Sequence, residues 1–199
     1  MKRKIIVLGL ILSFAGFIFA AAGSQAEDFE IGATIGNFSL PATDGKTYSF
    51  NELKGKNGVV VIFLSAQCPV VKAYIERINQ VAADYKSRGI NFIGVNSNAT
   101  ESLEWVTSDT AENFTFPMLI DKGNVLADKL GATVTPETYY FNSDNVLLYH
   151  GAIDNDKSGK NIKTTYLRTA FDSALSGKPI ERTKALAFGC SIKRVGEEK

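Results

Sequence analysis

A run of apolar residues that leads directly into a cysteine, a proline and a helical pattern constrains this chain more than any other stretch. The run is residues 59–64 (VVVIFL), and residues 65–67 connect it to Cys68 and Pro69. Six β-prone residues without helical gaps are too few to span a membrane, and they fit a strand that is buried on both faces. The sequence therefore predicts a buried strand that ends shortly before Cys68.

After Pro69 the apolar residues recur at spacings of three and four, which is the period of an α-helix. These positions are Val71, Ile75, Ile78, Ala82 and Tyr85, and Gly89 stands where the helix should end. Proline suits the first helical turn, because its missing N–H would have no intrahelical partner there. Cys68 is thus predicted at a helix N-terminus, where unpaired N–H groups and the helix dipole favour an anion. A thiol in that position should ionise below its ordinary pKa of about 8.5, so we expect a reactive cysteine.

The first 22 residues have the layout of a secretory signal peptide. Lys2, Arg3 and Lys4 precede a long uncharged apolar stretch, and small residues follow around Ala22. The apolar stretch is nearly long enough to cross a bilayer, so an uncleaved N-terminal anchor is the alternative. We expect export to the periplasm or cell envelope with residues 1–22 removed, and membrane association only through an uncleaved N-terminus.

Composition excludes one class of partner and sets the size of the domain. Removing residues 1–22 takes away three basic residues and no acidic one, which changes the formal net charge from +1 to −2. A nearly neutral chain offers no electrostatic reason to bind nucleic acid. The remaining stretch of about 175 residues is enough for one domain with a substantial core.

The chain has two cysteines, Cys68 and Cys190. In an oxidising compartment they could form a purely structural disulfide, and this interpretation stays open. Structural bridges do not especially favour a helix N-terminus beside a proline, whereas reactive thiols do. The position of Cys68 therefore favours a functional thiol.

The rest of the pattern predicts further elements around the central strand. Asn98 and Glu101, three residues apart, resemble a capping pair for a helix that carries Leu103 and Val106. The other predicted elements are a β-hairpin within 33–50, a buried strand at 90–96, a short strand at 116–120, a short helix at 125–130, a hairpin over 138–149 and a closing helix near 166–175. This order is a parallel βαβ unit followed by an antiparallel hairpin and a helix, which is the order of the thioredoxin fold.

Four stretches carry a closer resemblance. They are residues 63–74 (FLSAQCPVVKAY), 94–98 (GVNSN), 135–137 (TPE) and 189–193 (GCSIK), of which the last is the most specific. Together they resemble the redoxins, the peroxiredoxin-like members of the thioredoxin superfamily that include the alkyl hydroperoxide reductase and thiol-specific antioxidant group. The resemblance extends over residues 33–194. It implies an α/β, thioredoxin-like fold with a central mixed sheet flanked by helices and an N-terminal β-hairpin extension.

The resemblance also implies a division of the chain and roles for individual residues. Residues 33–177 would form the redoxin domain, and residues 178–199 a C-terminal tail that carries Cys190. Cys68 matches the nucleophilic first cysteine of the Cys-x-x-Cys motif, but the second position of that motif is Val71. A neighbouring cysteine therefore cannot resolve a mixed disulfide in this chain.

Substrate contacts are expected at Pro69 and at a second proline. Pro136 matches the proline that is cis in thioredoxin-like proteins, and Thr135 before it would offer backbone groups to an extended substrate. The alternative is an ordinary trans proline that opens an edge strand.

Two departures from the family pattern concern proton transfer and peroxide chemistry. Ile62 stands where thioredoxins carry a buried aspartate, and residues 65–67 lack the proline and threonine that precede the peroxidatic cysteine of typical peroxiredoxins. The second departure weighs against efficient peroxide reduction, and no nearby base in the sequence serves either chemistry.

Cys190 is then the candidate resolving cysteine. It follows Gly177, the end of the last predicted helix, by thirteen residues, and a segment of that length reaches up to about 40 Å when extended. The tail also has apolar residues that can dock on the domain, so Cys190 is either held beside Cys68 or swings in. We expect a reversible disulfide between the two.

The sequence thus predicts an extracytoplasmic thiol-based oxidoreductase that uses Cys68 and Cys190 on protein disulfides, small thiols or peroxides, with no cofactor. The alternatives are a one-cysteine thiol peroxidase, and a thioredoxin-fold binding module with a structural disulfide. The single histidine, His150, shares no short zinc-ligand spacing with the cysteines. We therefore predict no metal site and interpret His150 as a strand-end or surface residue.

Overall fold

The computed structural model describes residues 29–196, and the predicted signal peptide lies outside them. In chain order the elements are β1 (Ser39–Pro41), β2 (Thr47–Ser49), α1 (Phe50–Leu53), β3 (Gly58–Leu64), α2 (Pro69–Lys86), β4 (Ile90–Asn96), α3 (Leu103–Asn113), β5 (Met118–Ile120), α4 (Val125–Leu130), β6 (Val134–Thr135), β7 (Glu137–Phe141), β8 (Leu147–Gly151), α5 (Tyr166–Leu175), β9 (Lys184–Ala185) and β10 (Cys190–Ser191). Within this part of the chain, no helix is both long and apolar enough to cross a membrane.

The apolar run forms β3, the middle of a six-stranded mixed sheet. The strand order is β5-β4-β3-β7-β8-β9, with β4 parallel and β7 antiparallel to β3. All seven residues of β3 are buried, because helices or loops cover both faces of the sheet. The predicted fold class is confirmed, and β1 and β2 form the predicted N-terminal hairpin.

Two apolar cores lie on the two faces of the sheet, and β3 contributes to both. Val60, Ile62 and Leu64 belong to the core that α2 and α5 complete. Val59, Val61 and Phe63 belong to the other core, which includes residues of α4 and of the N-terminal segment. Burial of each such side chain stabilises the fold by about 1.5–3 kcal/mol. The end of β3, and with it the loop at 65–67, is therefore held in a fixed position.

Helix α2 follows the predicted register with one correction. Val71, Ile78, Ala82 and Tyr85 are buried as expected, but Ile75 is only half-buried. Tyr74 is buried instead, and its hydroxyl donates a hydrogen bond to Asp154 Oδ1 at 2.8 Å. Positions 74 and 75 both lie at helical spacing from Val71 and Ile78, so periodicity alone does not decide which one is buried. A tyrosine ring can be buried when its hydroxyl finds a hydrogen-bond partner.

The predicted cap of α3 is wrong. Ser102, not Asn98, is the N-cap, and its hydroxyl accepts a hydrogen bond from the Trp105 N–H at 3.2 Å. Glu101 is therefore not part of a capping box, and its carboxylate is directed to the loop before Cys68.

The C-terminal tail docks on both faces of the sheet. β9 adds a parallel edge strand to β8, and β10 pairs antiparallel with β6. Before β10, Phe188 packs on the α2 side against Tyr74, with 6.3 Å between ring centroids. After β10, Ile192 is buried in the opposite core. The tail thus passes from one core to the other, and Cys190 lies at the crossing.

Candidate active site

Cys68 is the N-cap residue of α2. Its backbone is extended (φ −78°, ψ 114°), Pro69 begins the helix, and the Lys72 N–H donates the first helical hydrogen bond to the Cys68 carbonyl at 3.0 Å. The sulfur therefore lies at the positive end of the helix dipole, as the sequence predicted. The Cys68 side chain is nevertheless buried, with 1% of the residue exposed, because the tail lies over it.

Cys190 forms a disulfide with Cys68 across 122 residues of sequence, with a Cα–Cα distance of 5.9 Å. The backbone around Cys190 is fixed by pairing with β6, where Cys190 is opposite Thr135 and Ser191 is opposite Val134. The Ile192 N–H also donates a hydrogen bond to the Thr133 carbonyl at 2.9 Å. Of the two predicted arrangements, the structure therefore has Cys190 held beside Cys68.

Thr135 and Pro136 lie directly against the disulfide. Their peptide bond is cis, as expected, and the Thr135 carbonyl oxygen is 3.3 Å from Cys68 Sγ. The structure thus brings together four of the five predicted site residues, while Pro69 is exposed on the first turn of α2. The edge of Thr135 that was expected to face a substrate is paired with the chain's own tail.

Val71 occupies the place of the second cysteine of a Cys-x-x-Cys motif. It is in the first turn of α2, and only 1% of the residue is exposed. An apolar side chain there packs into the core and cannot exchange a disulfide. Cys190 is therefore the thiol that is available to Cys68 within the chain.

Glu101 is a site residue that the sequence reasoning missed. Its carboxylate accepts hydrogen bonds from the Ala66 and Gln67 N–H groups, both at 3.0 Å. It also accepts from the Ser65 hydroxyl at 2.5 Å and from Asn96 Nδ2 at 2.6 Å. One side chain thus accepts the hydrogen bonds of the turn at 65–67, which directly precedes Cys68 at the helix N-terminus.

The sequence did contain a signal for these hydrogen bonds of Glu101. Asn96 ends β4 directly beside Leu64 at the end of β3, since the two strands are parallel and in register there. Polar residues that follow the carboxyl ends of neighbouring parallel strands meet at one edge of the sheet. Asn96 and Glu101 belong to that class of residue.

Acidic groups near Glu101 affect one another. Burial raises the pKa of the Asp109 carboxyl above its ordinary value, and the negative charges of Glu101 and Glu112 add to the effect. A hydrogen bond from Asn113 and the positive charge of Lys72 oppose it. The loop before Cys68 is therefore next to a local concentration of negative charge.

Glu137 and His150 form a second polar cluster, behind Thr135 and Pro136. Glu137 is buried, and its Oε1 atom is 2.7 Å from His150 Nε2. Its Oε2 atom accepts hydrogen bonds from the Thr133 and Val134 N–H groups at 2.8 and 3.3 Å. Glu137 thus orders the backbone of β6, whose edge the tail occupies.

His150 lies in the last strand of the hairpin, as predicted, but it is not a surface residue. Its side chain is 16% exposed, and its ring stacks on the Tyr139 ring with 4.2 Å between centroids. The pairing with buried Glu137 explains its position. Among residues 29–196, no three His, Cys, Asp or Glu side chains are grouped as ligands for a metal ion.

The arrangement suits one kind of chemistry, the reversible exchange of sulfur–sulfur bonds. A helix N-terminus stabilises the thiolate that attacks, and a second cysteine lies within bonding distance to displace the product.

Comparisons with known proteins agree with this chemistry. Residues 31–150 match the AhpC/TSA family. The thiol-disulfide oxidoreductase ResA of Halalkalibacterium halodurans is 31% identical over 129 residues, which cover 65% of this chain and 67% of that protein. The crystal structure of a hypothetical protein from Sinorhizobium meliloti 1021 superposes with a TM-score of 0.78 at 30% identity, over 86% of this chain and 98% of that one.

A more distant structure is similar in fold. It is a Chlorobium tepidum protein described as a thiol:disulfide interchange protein, DsbE, with a TM-score of 0.62 at 18% identity over 74% of this chain and 99% of that one. Because the similarity to the AhpC/TSA family runs through more than half of the chain, the protein belongs to that family, and it is a thiol-based oxidoreductase.

Proposed function

We propose that this protein exchanges disulfides with partner proteins, with Cys68 as the attacking thiol and Cys190 as the resolving thiol. The observation that carries the proposal is the disulfide between a helix N-cap cysteine and a tail cysteine 122 residues away, beside Thr135 and Pro136. A bridge that served only to fasten the tail would not need to end at a helix N-terminus, where a thiolate is stabilised.

The exchange takes place in two steps. The Cys68 thiolate attacks one sulfur of a partner disulfide, which forms a mixed disulfide and releases the other partner sulfur as a thiolate. The Cys190 thiolate then attacks Cys68 Sγ, which releases the partner's second thiolate and forms the Cys68–Cys190 disulfide. Two electrons pass from the two cysteines to the partner. The reverse sequence would oxidise a partner dithiol.

The 5.9 Å between the two Cα atoms supports the second step, because it lies within the usual range for a disulfide. The tail has anchors on both sides of Cys190, so the resolving thiol returns to one defined place. The hydrogen bonds that Glu101 accepts from Ala66 and Gln67 support the first step, since they order the turn directly before Cys68.

A side-by-side assay tests the proposal. Wild type and the Cys68→Ser and Cys190→Ser variants are compared in reduction of insulin disulfides and in consumption of hydrogen peroxide, with dithiothreitol as reductant. We expect wild type to reduce insulin and Cys68→Ser to be inactive. When pre-reduced Cys190→Ser is mixed with insulin after dithiothreitol has been removed, we expect a mixed disulfide that mass spectrometry detects. Insulin reduction by Cys68→Ser at the wild-type rate would refute the assigned roles.

A second candidate is a one-cysteine thiol peroxidase that an external thiol recycles. The AhpC/TSA match favours it, although residues 65–67 lack the proline and threonine of typical peroxiredoxins. In that case peroxide consumption would require Cys68 and would be unaffected by Cys190→Ser. In the main proposal, by contrast, both cysteines are needed for full turnover.

We also propose that the protein acts after export, with the redoxin domain at residues 33–177 and the tail at 178–199. The basic residues and apolar stretch within residues 1–22 support export. N-terminal sequencing of the protein from an envelope fraction tests it. A start near residue 23 is expected, and a full-length chain in the soluble cytoplasmic fraction would refute export.

A further inference from the structure

The tail segment Gly189-Cys190-Ser191 pairs with β6 through its last two residues, which form an antiparallel strand, and it delivers a cysteine to Cys68. We infer that this segment occupies the docking place of the partner: the substrate is an extended protein segment that pairs with β6 in the same register and has glycine directly before its cysteine. This inference rests on the proposed function and adds a selection rule to it.

The selection rule comes from the space around Gly189. A Cβ atom at this residue would lie 1.9 Å from the carbonyl oxygen of Thr135 and 2.6 Å from its carbonyl carbon. Cβ contacts below 3.0 Å are essentially never found in proteins, and the neighbouring atoms are backbone that cannot turn aside. Any strand that presents a cysteine in this register therefore needs glycine at the preceding position.

Only one strand can occupy this place at a time. β6 is two residues long, and both residues are paired with the tail. Cys68 is 1% exposed beneath the same segment. A partner must therefore displace Gly189-Cys190-Ser191 before its own cysteine reaches Cys68.

The anchors of the tail allow such a displacement. On one side, β9 pairs Lys184 with His150. On the other side Ile192 is buried, and the Lys193 N–H donates a hydrogen bond to Asn98 Oδ1 at 3.0 Å. Between these anchors Leu186 is 88% exposed, and Phe188, which packs against Tyr74, is only half-buried, so this one contact is what the arm must give up. The arm at 186–191 can leave β6 while both anchors stay in place.

The exchange then includes a competition between two strands. With the Cys68–Cys190 bond reduced, the arm lifts and a partner segment takes its place. Cys68 attacks the partner disulfide as described above. When the arm returns, Cys190 attacks Cys68 Sγ, and the partner thiolate leaves together with its strand.

Peptide capture by the reduced Cys190→Ser variant, which stops at the mixed disulfide, tests the selection rule. The probes are a peptide with the sequence of residues 187–192 and the same peptide with alanine for its glycine, each carrying thionitrobenzoate on its cysteine. Cys68 attacks the peptide sulfur, and the coloured aromatic thiolate leaves. Because an added methyl group has no room beside the Thr135 carbonyl, we expect the glycine peptide to react at least about fivefold faster.

The free aromatic disulfide, dithionitrobenzoate, serves as the control for the thiol itself. If it reacts with Cys68 but the two peptides react at equal rates, the selection rule is refuted while the proposed function survives. If neither the peptides nor the free reagent reacts, the proposed function itself fails.

A variant of the chain tests the competition independently. Gly189→Ala should force the arm off β6, so the reduced protein should capture the glycine peptide faster and alkylate faster at Cys68. Gly36→Ala is the matched control, because a Cβ atom there would meet nothing within 4 Å. Circular dichroism confirms that both variants fold. Equal alkylation rates in the two variants would overturn the inference that the arm occupies the partner's place.

Discussion

Glu101 accepts a hydrogen bond from the Ser65 hydroxyl at an O···O distance of 2.5 Å, and this contact joins the loop after β4 to the loop that carries Cys68. The two residues are 36 positions apart in sequence. The geometry of the nucleophile thus depends on a side chain that belongs to neither the strand nor the helix beside it.

Replacement of Glu101 by alanine should loosen this loop. The Ser65 hydroxyl and the Asn96 amide would lose a partner within the fold, at a total cost of about 1–3 kcal/mol. We expect a lower urea midpoint and slower attack by reduced Cys68 on dithionitrobenzoate. Glu112→Ala is the control, because that residue is exposed on α3. Equal effects of the two variants would argue against a specific role for Glu101.

Replacement of Glu137 should disturb the backbone on which the tail docks. Glu137→Ala leaves two N–H groups of the β6 segment and the His150 ring without their acceptor, at a cost of about 3 kcal/mol. Glu137→Gln keeps an acceptor oxygen and should lose less. Urea unfolding followed by circular dichroism measures both. A Glu137→Ala variant as stable as wild type would contradict the assigned contacts.

Restoring the second cysteine of the motif should divert the disulfide. In a Val71→Cys variant, the introduced thiol is three residues from Cys68 at the helix N-terminus, so a much shorter loop closes and its thiolate is stabilised there. We expect oxidised protein to contain a bond between positions 68 and 71 with Cys190 free. Non-reducing peptide mapping detects it. Val70→Cys is the control, and Cys190 bonded to Cys68 in every molecule of the Val71→Cys variant would contradict the expectation.

The raised pKa of Asp109 predicts a specific pH dependence of stability. A carboxyl whose pKa is raised by folding destabilises the protein when it is charged, and this loss disappears as the pH falls to the pKa of the unfolded chain, 3.8. Asp109→Asn should therefore be more stable than wild type at neutral pH, and the gain should vanish in acid.

Asp84 provides a control of the opposite sign. Its pKa is lowered by hydrogen bonds from Arg168 and Gln80, so Asp84→Asn should lose stability at neutral pH and approach wild type in acid. Thermal unfolding between pH 3 and pH 8, a range of about five units around these carboxyl pKa values, compares the two. Equal pH profiles for both variants would refute the assignment.

Local pattern was enough for most elements of the fold. The apolar run became β3, the spacing after Pro69 became α2, and Gly131 ends the short helix α4 in a left-handed conformation (φ 70°). These features depend on the period and the terminal residues of one segment, which sequence displays directly.

Contacts between distant segments could not be predicted from the local sequence pattern. Glu101 was assigned to a helix cap, because the residues near it in sequence allowed one. Its actual partners depend on the register of β4 against β3, which no local pattern specifies. Likewise, Tyr74 is buried on α2 instead of the predicted Ile75, and its hydroxyl donates a hydrogen bond to Asp154, a residue 80 positions away.

By itself the sequence determined a thiol at a helix N-terminus, a proline to lie against it and the absence of a neighbouring second cysteine. Whether Cys190 is held or swings in depended on the tertiary structure. The tail's few apolar residues could dock in several ways, and only the folded domain offers both the short strand β6 and a second core for Ile192. Those two surfaces are built from residues far apart in the chain, so they exist only after the domain has folded.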